Sequence, residues 1–408
     1  MAEKQQNVPS RMRVASLFSG IGGFELGFAA SGMTPVLFCE ADPHALAVLK
    51  AAWPDTAFSD DVRTLQDIPE CDVVTAGFPC QDLSQAGKKA GIGGDQSGLV
   101  EHLFRLIRRM TFEPRWIVVE NVPYMLGLNR GHAMEQLIAN FEELGFRWGY
   151  RVVDSRAFGI PQRRPRVIFV ASRIDFPQSV LAGEGGTTVT DQKPAVIHPA
   201  SAYGFYWTEG NRGLGWVQDG VPPIKGGSGL GIPSPPAVWV PATGELGKLS
   251  ITDAERLQGF PGGWTTAAMA VPGARIGVRW RLIGNAVNVA TARWLGERLA
   301  SPKHSPQGVE MLEEFSTAVR WPASAMGGNG VRLRVAASQW PQAAPIVPIT
   351  SFLNEPLVPL SQRAAFGFLN RALSTPKLVY APEFLDSLRS YCGLAKSYNF
   401  IGKVTQAG

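Results

Sequence analysis

The sequence is poor in the residues on which stapled or metal-bound folds depend. Its 408 residues include four cysteines (Cys39, Cys71, Cys80, Cys392) and five histidines. The cysteines have neither paired spacing nor neighbouring His ligands, which argues against a disulfide framework and a zinc site. Reduced thiols and a cytoplasmic location are expected, with no metal. Long hydrophobic runs are also missing: Trp116 to Val119 and Val167 to Ala171 are far too short to cross a bilayer, so no membrane association is expected. Met1 to Arg13 is polar and charged, without the apolar segment of a secretory signal. An excess of one charge is lacking too, since a net +5 permits a polyanionic partner without demanding one.

What is present is a globular composition. With 45% hydrophobic residues the chain can bury one large core and a smaller unit. Glycine and proline cluster between about 183 and 273, which marks a loop-rich insertion. Before it, short apolar runs alternate with helical periodicities, the pattern of a doubly wound α/β fold with a mostly parallel sheet.

Val14 to Phe18 reads as a buried strand running through Ser19-Gly20-Ile21-Gly22-Gly23 into a helix, Phe24 to Ala30. Glycines let the backbone approach a ligand, and the helix start adds free N–H groups. The next strand, Val36 to Cys39, ends at Glu40, about twenty residues past the first glycine, where an acid can bind ribose hydroxyls. Asp61, after Thr56-Ala57-Phe58, could reach an adenine amino group or simply lie in a solvated turn. A further strand, Asp72 to Ala76, opens into Gly77-Phe78-Pro79-Cys80-Gln81. Pro79 stiffens that turn, so Cys80 stands at a strand's carboxyl end either as a nucleophile or as a buried apolar thiol. An amphipathic helix, Gly98 to Met110, follows. The strand Trp116 to Val119 closes with Glu120-Asn121, which puts an acid on the edge that carries Cys80, although such residues also cap turns. After a helix from Met134 to Leu144 comes the basic stretch Gln162-Arg163-Arg164-Pro165-Arg166, which leads into the strand Val167 to Ser172.

Taken in order, these segments resemble the DNA (cytosine-5) methyltransferases of prokaryotic or phage type. The matching residues are Phe18 to Gly23, Glu40, Gly77 to Gln81, Glu120-Asn121-Val122, Gln162 to Arg166, Glu255 to Pro261 and Gly284-Asn285-Ala286-Val287. The ordered set covers about residues 13–172 and 249–300. The resemblance implies a Rossmann-like S-adenosylmethionine-dependent fold and transfer of a methyl group to C5 of a flipped cytosine. Cys80 would attack C6, Glu120 would act at N3, Arg166 would contact O2 and steady Glu120, and Arg164 would support the same site. Phe18, Gly20, Ile21, Gly22 and Gly23 would shape the methionine pocket, with Glu40 on the ribose, Asp61 and Val62 on the adenine and Pro79 near the reacting centre. Asn285, Ala286 and Val287 would close that pocket at the start of a helix running to Leu299. Asn121 would position its loop. Two departures stand out: Asn288 replaces a frequent proline, and Ala41 replaces a frequent aromatic on the adenine, which implies weaker cofactor contact.

Double-stranded DNA is the implied partner, with contacts expected from Gln81, Ser84, Gln85, Lys88, Lys89, Arg212 and Lys225. Residues 82–96 would close over the DNA. The expected organisation is a catalytic part (1–172), a target recognition region (173–248), a closing catalytic part (249–302) and an extension (303–408). In the closing part, Thr252 to Glu255 reads as a capping box. In the extension, the strand face of Arg332 and Arg334 would add DNA contact. The chain is expected to act as a monomer, beside a cognate restriction endonuclease that need not bind it, or as a solitary enzyme. An RNA cytosine-5 methyltransferase and a catalytically silent DNA-binding homologue are the rival readings. The silent form would normally lack the thiol or the acid, and both are here.

Overall fold

The first strand, β1 (Arg13–Leu17), is buried on both faces after its first residue, which suits the middle of a parallel sheet. In the computed structural model, which describes residues 11–78, 98–183, 185, 197–208, 214–226, 235–302, 310–316, 320–375 and 380–395, β1 leaves through a tight loop. Phe18, Gly20 and Gly22 all take left-handed φ, at 55°, 56° and 81°. Glycine tolerates this and phenylalanine does not, so the loop stores backbone strain at Phe18. Helix α1 (Gly23–Ala29) follows, then β2 (Thr34–Cys39), α2 (Pro43–Ala52), β3 (Ala57–Ser59) and β4 (Val73–Ala76). After α3 (Leu99–Arg109) come β5 (Trp116–Asn121), α4 (His132–Glu143), β6 (Arg147–Asp154) and β7 (Pro165–Ser172). Strands β3-β2-β1-β4-β5 lie in that order and pair in parallel, and β7 and β6 continue the sheet antiparallel. This is the expected α/β fold with its Rossmann-like strand order.

The chain then builds a second, smaller sheet from β8 (Tyr203–Phe205), β9 (Val217–Gln218), β10 (Ala237–Val240) and β11 (Glu245–Lys248). Three helices follow: α5 (Ile251–Leu257), α6 (Ile276–Asn285) and α7 (Val289–Ala300). Two expectations about these helices need correction. The cap of α5 is Ser250, whose hydroxyl accepts from the N–H of Asp253, so the capping box begins two residues before Thr252. Asn285 ends one helix rather than opening the next. The cap of α7 is Asn288, whose side chain accepts from the N–H groups of Ala290 and Thr291. An amide that satisfies two free donors explains why this position works without proline.

Beyond α7, strands β12 (Glu310–Glu314), β13 (Ser324–Gly328) and β14 (Val331–Ala336) extend the large sheet to ten strands by pairing β13 with β6. Last, β15 (Val358–Pro359) pairs with β11, and α8 (Gln362–Leu373) and α9 (Pro382–Tyr391) cover the small sheet.

Compact packing divides the chain into two units: 1–154, 165–185 and 286–342 in one, and 155–164, 186–285 and 343–408 in the other. Residues 249–285 group with the region expected to recognise the target because Leu257, Trp280 and Ile283 pack with Ala202, Val221 and Val238. The extension is shared between the units. Its first part widens the large sheet, while Phe368, Leu369, Phe384 and Leu388 complete an aromatic core with Tyr203, Phe205, Trp216 and Trp239. Arg332 faces Glu135 at 3.8 Å and lies over the Trp321 ring, and Arg334 pairs with Glu313 at 3.1 Å. Internal partners therefore occupy the two arginines on which extra DNA contact was expected.

Candidate active site

At the carboxyl edge of the first unit's parallel strands, the glycine loop and Glu40 are joined directly. Glu40 accepts from the N–H of Gly20 at 2.7 Å and from that of Asp42 at 2.9 Å. Burial pushes its carboxyl above the usual range, and the backbone donors oppose that rise. A Cβ on Gly20 would meet nothing within 4 Å, so the backbone here borders open space. By contrast, a Cβ on Gly22 would strike the Trp53 ring, and one on Gly23 would strike the carbonyl oxygen of Val287. Glycine is thus required where α2 and the 286–288 segment press on the loop. Ile21 is buried, as is Ala286. Asp61 receives the Arg63 guanidinium on both carboxylate oxygens, each 2.9 Å from Nε, which holds its carboxyl below the usual range. Val62 is buried, and its carbonyl accepts from Arg105 at 2.9 Å.

Glu120, the second-to-last residue of β5, is 9% exposed, and Arg166 in β7 reaches its carboxylate at 3.0 Å. The register explains the meeting, since Glu120 pairs with Ile168 and the Arg166 side chain emerges two residues earlier on the same face. In the β4–β5 pairing Ala76 sits opposite Val119, so Glu120 stands beside the start of the segment that leads to Cys80. Asn121 donates from Nδ2 to the carbonyl of Phe78 at 3.1 Å, which ties it to that segment. Pro79, Cys80, Gln81, Ser84, Gln85, Lys88, Lys89 and Arg212 lie outside the described residues. The other three thiols are poor candidates for chemistry. Burial pushes Cys39 up to about 11 and Cys71 up to about 12, and Cys392 is raised as well.

Arg164 belongs to the second unit. It is 1% exposed and donates to the carbonyls of Ile224 and Gly284 at 3.3 and 3.0 Å. Lys225 lies in the same unit, with its ammonium 3.9 Å from the Tyr206 ring centre. Asn285 packs against Gly226, where a Cβ would collide with the Asn285 side-chain oxygen.

Sequence reasoning missed one buried carboxylate, Glu25, and took a second, Glu255, only as part of a matched segment and a capping box. Glu25, in the first turn of α1, is 1% exposed and accepts from Thr75, which also bonds Ser16. Burial lifts its carboxyl to about 7, against hydrogen bonds from Ser16 and Thr75. An acid in a helix turn otherwise facing the core was the available signal. Glu255 is fully buried and accepts from the N–H groups of Gly263 and Thr265, the Thr265 hydroxyl and Arg279.

A strained glycine loop joined to an acid at the end of β2, and a glutamate–arginine pair at the end of β5, fit an α/β methyltransferase. Comparison with known proteins narrows the class. The model of the C-5 cytosine-specific DNA methylase family matches residues 12–202. Type II methyltransferase M2.BsuMI of Bacillus subtilis (strain 168) is 49% identical over 381 residues, covering 92% of this chain and 97% of that protein. Type II methyltransferase M.BsuFI of Bacillus subtilis is 31% identical over 173 residues, 42% of each chain. The crystal structure of S. pombe Dnmt2 methyltransferase matches in fold, with a TM-score of 0.52 and 17% identity over 71% of this chain and 98% of that one. The chain belongs to the C-5 cytosine-specific DNA methylase family. It is a DNA (cytosine-5) methyltransferase, with S-adenosylmethionine as methyl donor and DNA as acceptor.

Proposed function

We propose that the chain methylates a specific DNA sequence through a covalent adduct between Cys80 and C6 of a cytosine turned out of the duplex. The observation that carries this reading is the Glu120–Arg166 pair at 3.0 Å, beside the strand exit anchored by Asn121. The Cys80 thiolate adds to C6, and the C5–C6 π electrons move toward N3, where Glu120 supplies a proton or hydrogen bond. C5 thereby becomes nucleophilic. When bound, S-adenosylmethionine supplies an electrophilic methyl group. Phe18 to Gly23, Glu40, Val62 and Ala286-Val287 would hold it, in keeping with the open space over Gly20. A base then takes the C5 proton, the C6–S bond breaks and the aromatic ring returns. Arg166 orients the Glu120 carboxyl and would contact the base's O2. Turning the base out costs on the order of a few kcal/mol, which contacts to DNA must offset. The names of the bacterial relatives favour a restriction-modification setting in the cytoplasm.

The deciding experiment follows labelled methyl groups from S-adenosylmethionine into duplex DNA, with Cys80→Ala and an RNA substrate alongside, and maps the modified bases. Label on DNA cytosine C5 that disappears in the variant is the expected result. Duplex carrying 5-fluorocytosine at the mapped site should trap a denaturation-stable complex, because C5 then carries fluorine in place of the proton that a base must remove before the C6–S bond can break. Label that persists in Cys80→Ala would overturn the covalent route.

A further inference from the structure

The first unit carries a surface that the chemistry above does not use. Tyr124, four residues beyond Glu120, is 68% exposed, more than any other large apolar side chain among the described residues. It stands on a 3-10 turn, Pro123–Gly127. Side chains three residues apart eclipse in such a turn, so Tyr124 stands over Gly127. Along Gly127 runs the stem of Arg320, whose Cγ and Cδ lie 3.7 and 3.9 Å from where a Cβ would be. Arg130, three residues past Gly127, is exposed, as is Arg320.

The two arginines come from distant parts of the chain and are brought together by Trp321. Its backbone N–H donates to the carbonyl of Leu126 at 2.9 Å and its indole N–H to that of Gly131 at 3.0 Å. Among the described residues neither Arg130 nor Arg320 has a carboxylate partner, whereas the exposed Arg13, Arg63, Arg108 and Arg109 each pair with one. The nearby acid Glu135 already faces His132 and Arg332. An exposed ring on the turn that carries the Arg320 stem, with the exposed Arg130 at the turn's far end and no carboxylate on either arginine among the described residues, is complementary to a strand of phosphates and stacked bases.

We infer that Tyr124, Arg130 and Arg320 form a DNA-backbone contact surface on the first unit, with both guanidinium groups on phosphates and the ring against a sugar or base. This rests on the proposed function, which brings DNA to the ends of β4 and β5. It gives residues 320–321 of the extension a binding role and leaves sequence choice to other residues, because phosphate contacts position without specifying.

The test is the salt dependence of duplex binding by the full chain. Each lost phosphate contact lowers the slope of log K against log salt by about 0.9, so R130A/R320A should flatten it by about 2 and weaken binding roughly 10–100-fold at low salt. R130K/R320K should restore the slope, since lysine also neutralises phosphate. Tyr124→Ala should weaken binding with the slope unchanged. The charge-matched R108A/R109A should keep the wild-type slope. A folded R130A/R320A protein with the wild-type slope overturns the inference, as does an equal flattening in R108A/R109A. A wild-type chain that binds and methylates no DNA would instead overturn the reading on which the inference rests.

Discussion

Glu120 in the first unit and Glu255 in the second are both buried glutamates held by one arginine, at 3.0 and 2.9 Å, yet their surroundings suit them to different work. The Glu255 side chain is 0% exposed, and its two oxygens collect four donors from Gly263, Thr265 and Arg279. Such a carboxylate, with every contact made inside the fold, holds a loop in place. Glu120 keeps 11% of its side chain open and Arg166 keeps 15%, at a sheet edge beside the exit toward the thiol. A catalytic acid needs that remaining access, and a structural one is safer without it.

Substitution should separate the two roles. Glu120→Gln removes the group proposed to act at N3 and should lower the rate of methyl transfer roughly 10²–10⁴-fold, measured as single-turnover kinetics, with only a small fall in melting temperature. Glu255→Gln should do the reverse. It leaves Arg279 without its buried carboxylate and should cost about 3–5 kcal/mol in denaturant unfolding. If both variants lose stability equally and keep similar activity, the contrast between the two sites is wrong.

Glu25 sharpens the contrast from a third side, as a buried carboxyl that owes its position to burial and no cation. Its folded-state value near 7 lies above the ordinary 4.5, so the folded protein holds a proton there that the unfolded chain has lost. Stability from this group is fully present below pH 4.5, falls as pH rises to about 7 and is flat above. Glu25→Gln should remove that slope, with a difference from wild type of about 3 kcal/mol at pH 8 that vanishes near pH 4. Identical unfolding curves for the two proteins at pH 8 would show that Glu25 ionises without cost. The smallest expected effect is that of Asn288→Ala, which strips α7 of a neutral cap and should cost about 1 kcal/mol with no dependence on pH.

Strands β1, β4, β5 and β7 were legible because each apolar run is short, bounded and mostly buried, whereas α2 and β6 were not read from the sequence. Glu40, Glu120 and Arg166 were legible because each stands at a strand terminus, where side-chain chemistry and sheet topology coincide. Which strand pairs with which was not legible. The alternation in Val331 to Val335 announces a strand, but its place four strands beyond β5, through β13, β6 and β7, depends on contacts far apart in sequence. Glu25 was hidden because one acid among core residues carries no periodic signal, and Ser250 because a cap two residues from another hydroxyl is a local competition that only geometry resolves.

The alternating assignment of segments to the two units has a consequence for engineering and for descent. The backbone passes between units after Asp154, Arg164, Gly185, Asn285 and Gln342. The second unit's core cannot therefore be exchanged as one continuous cassette. A graft of 186–285 alone would arrive without Phe368 and Phe384, and with Asp253 no longer holding the N–H groups of Asn354 and Glu355. A new specificity in this scaffold would need two distant stretches to be inherited together, or point changes on a core left whole.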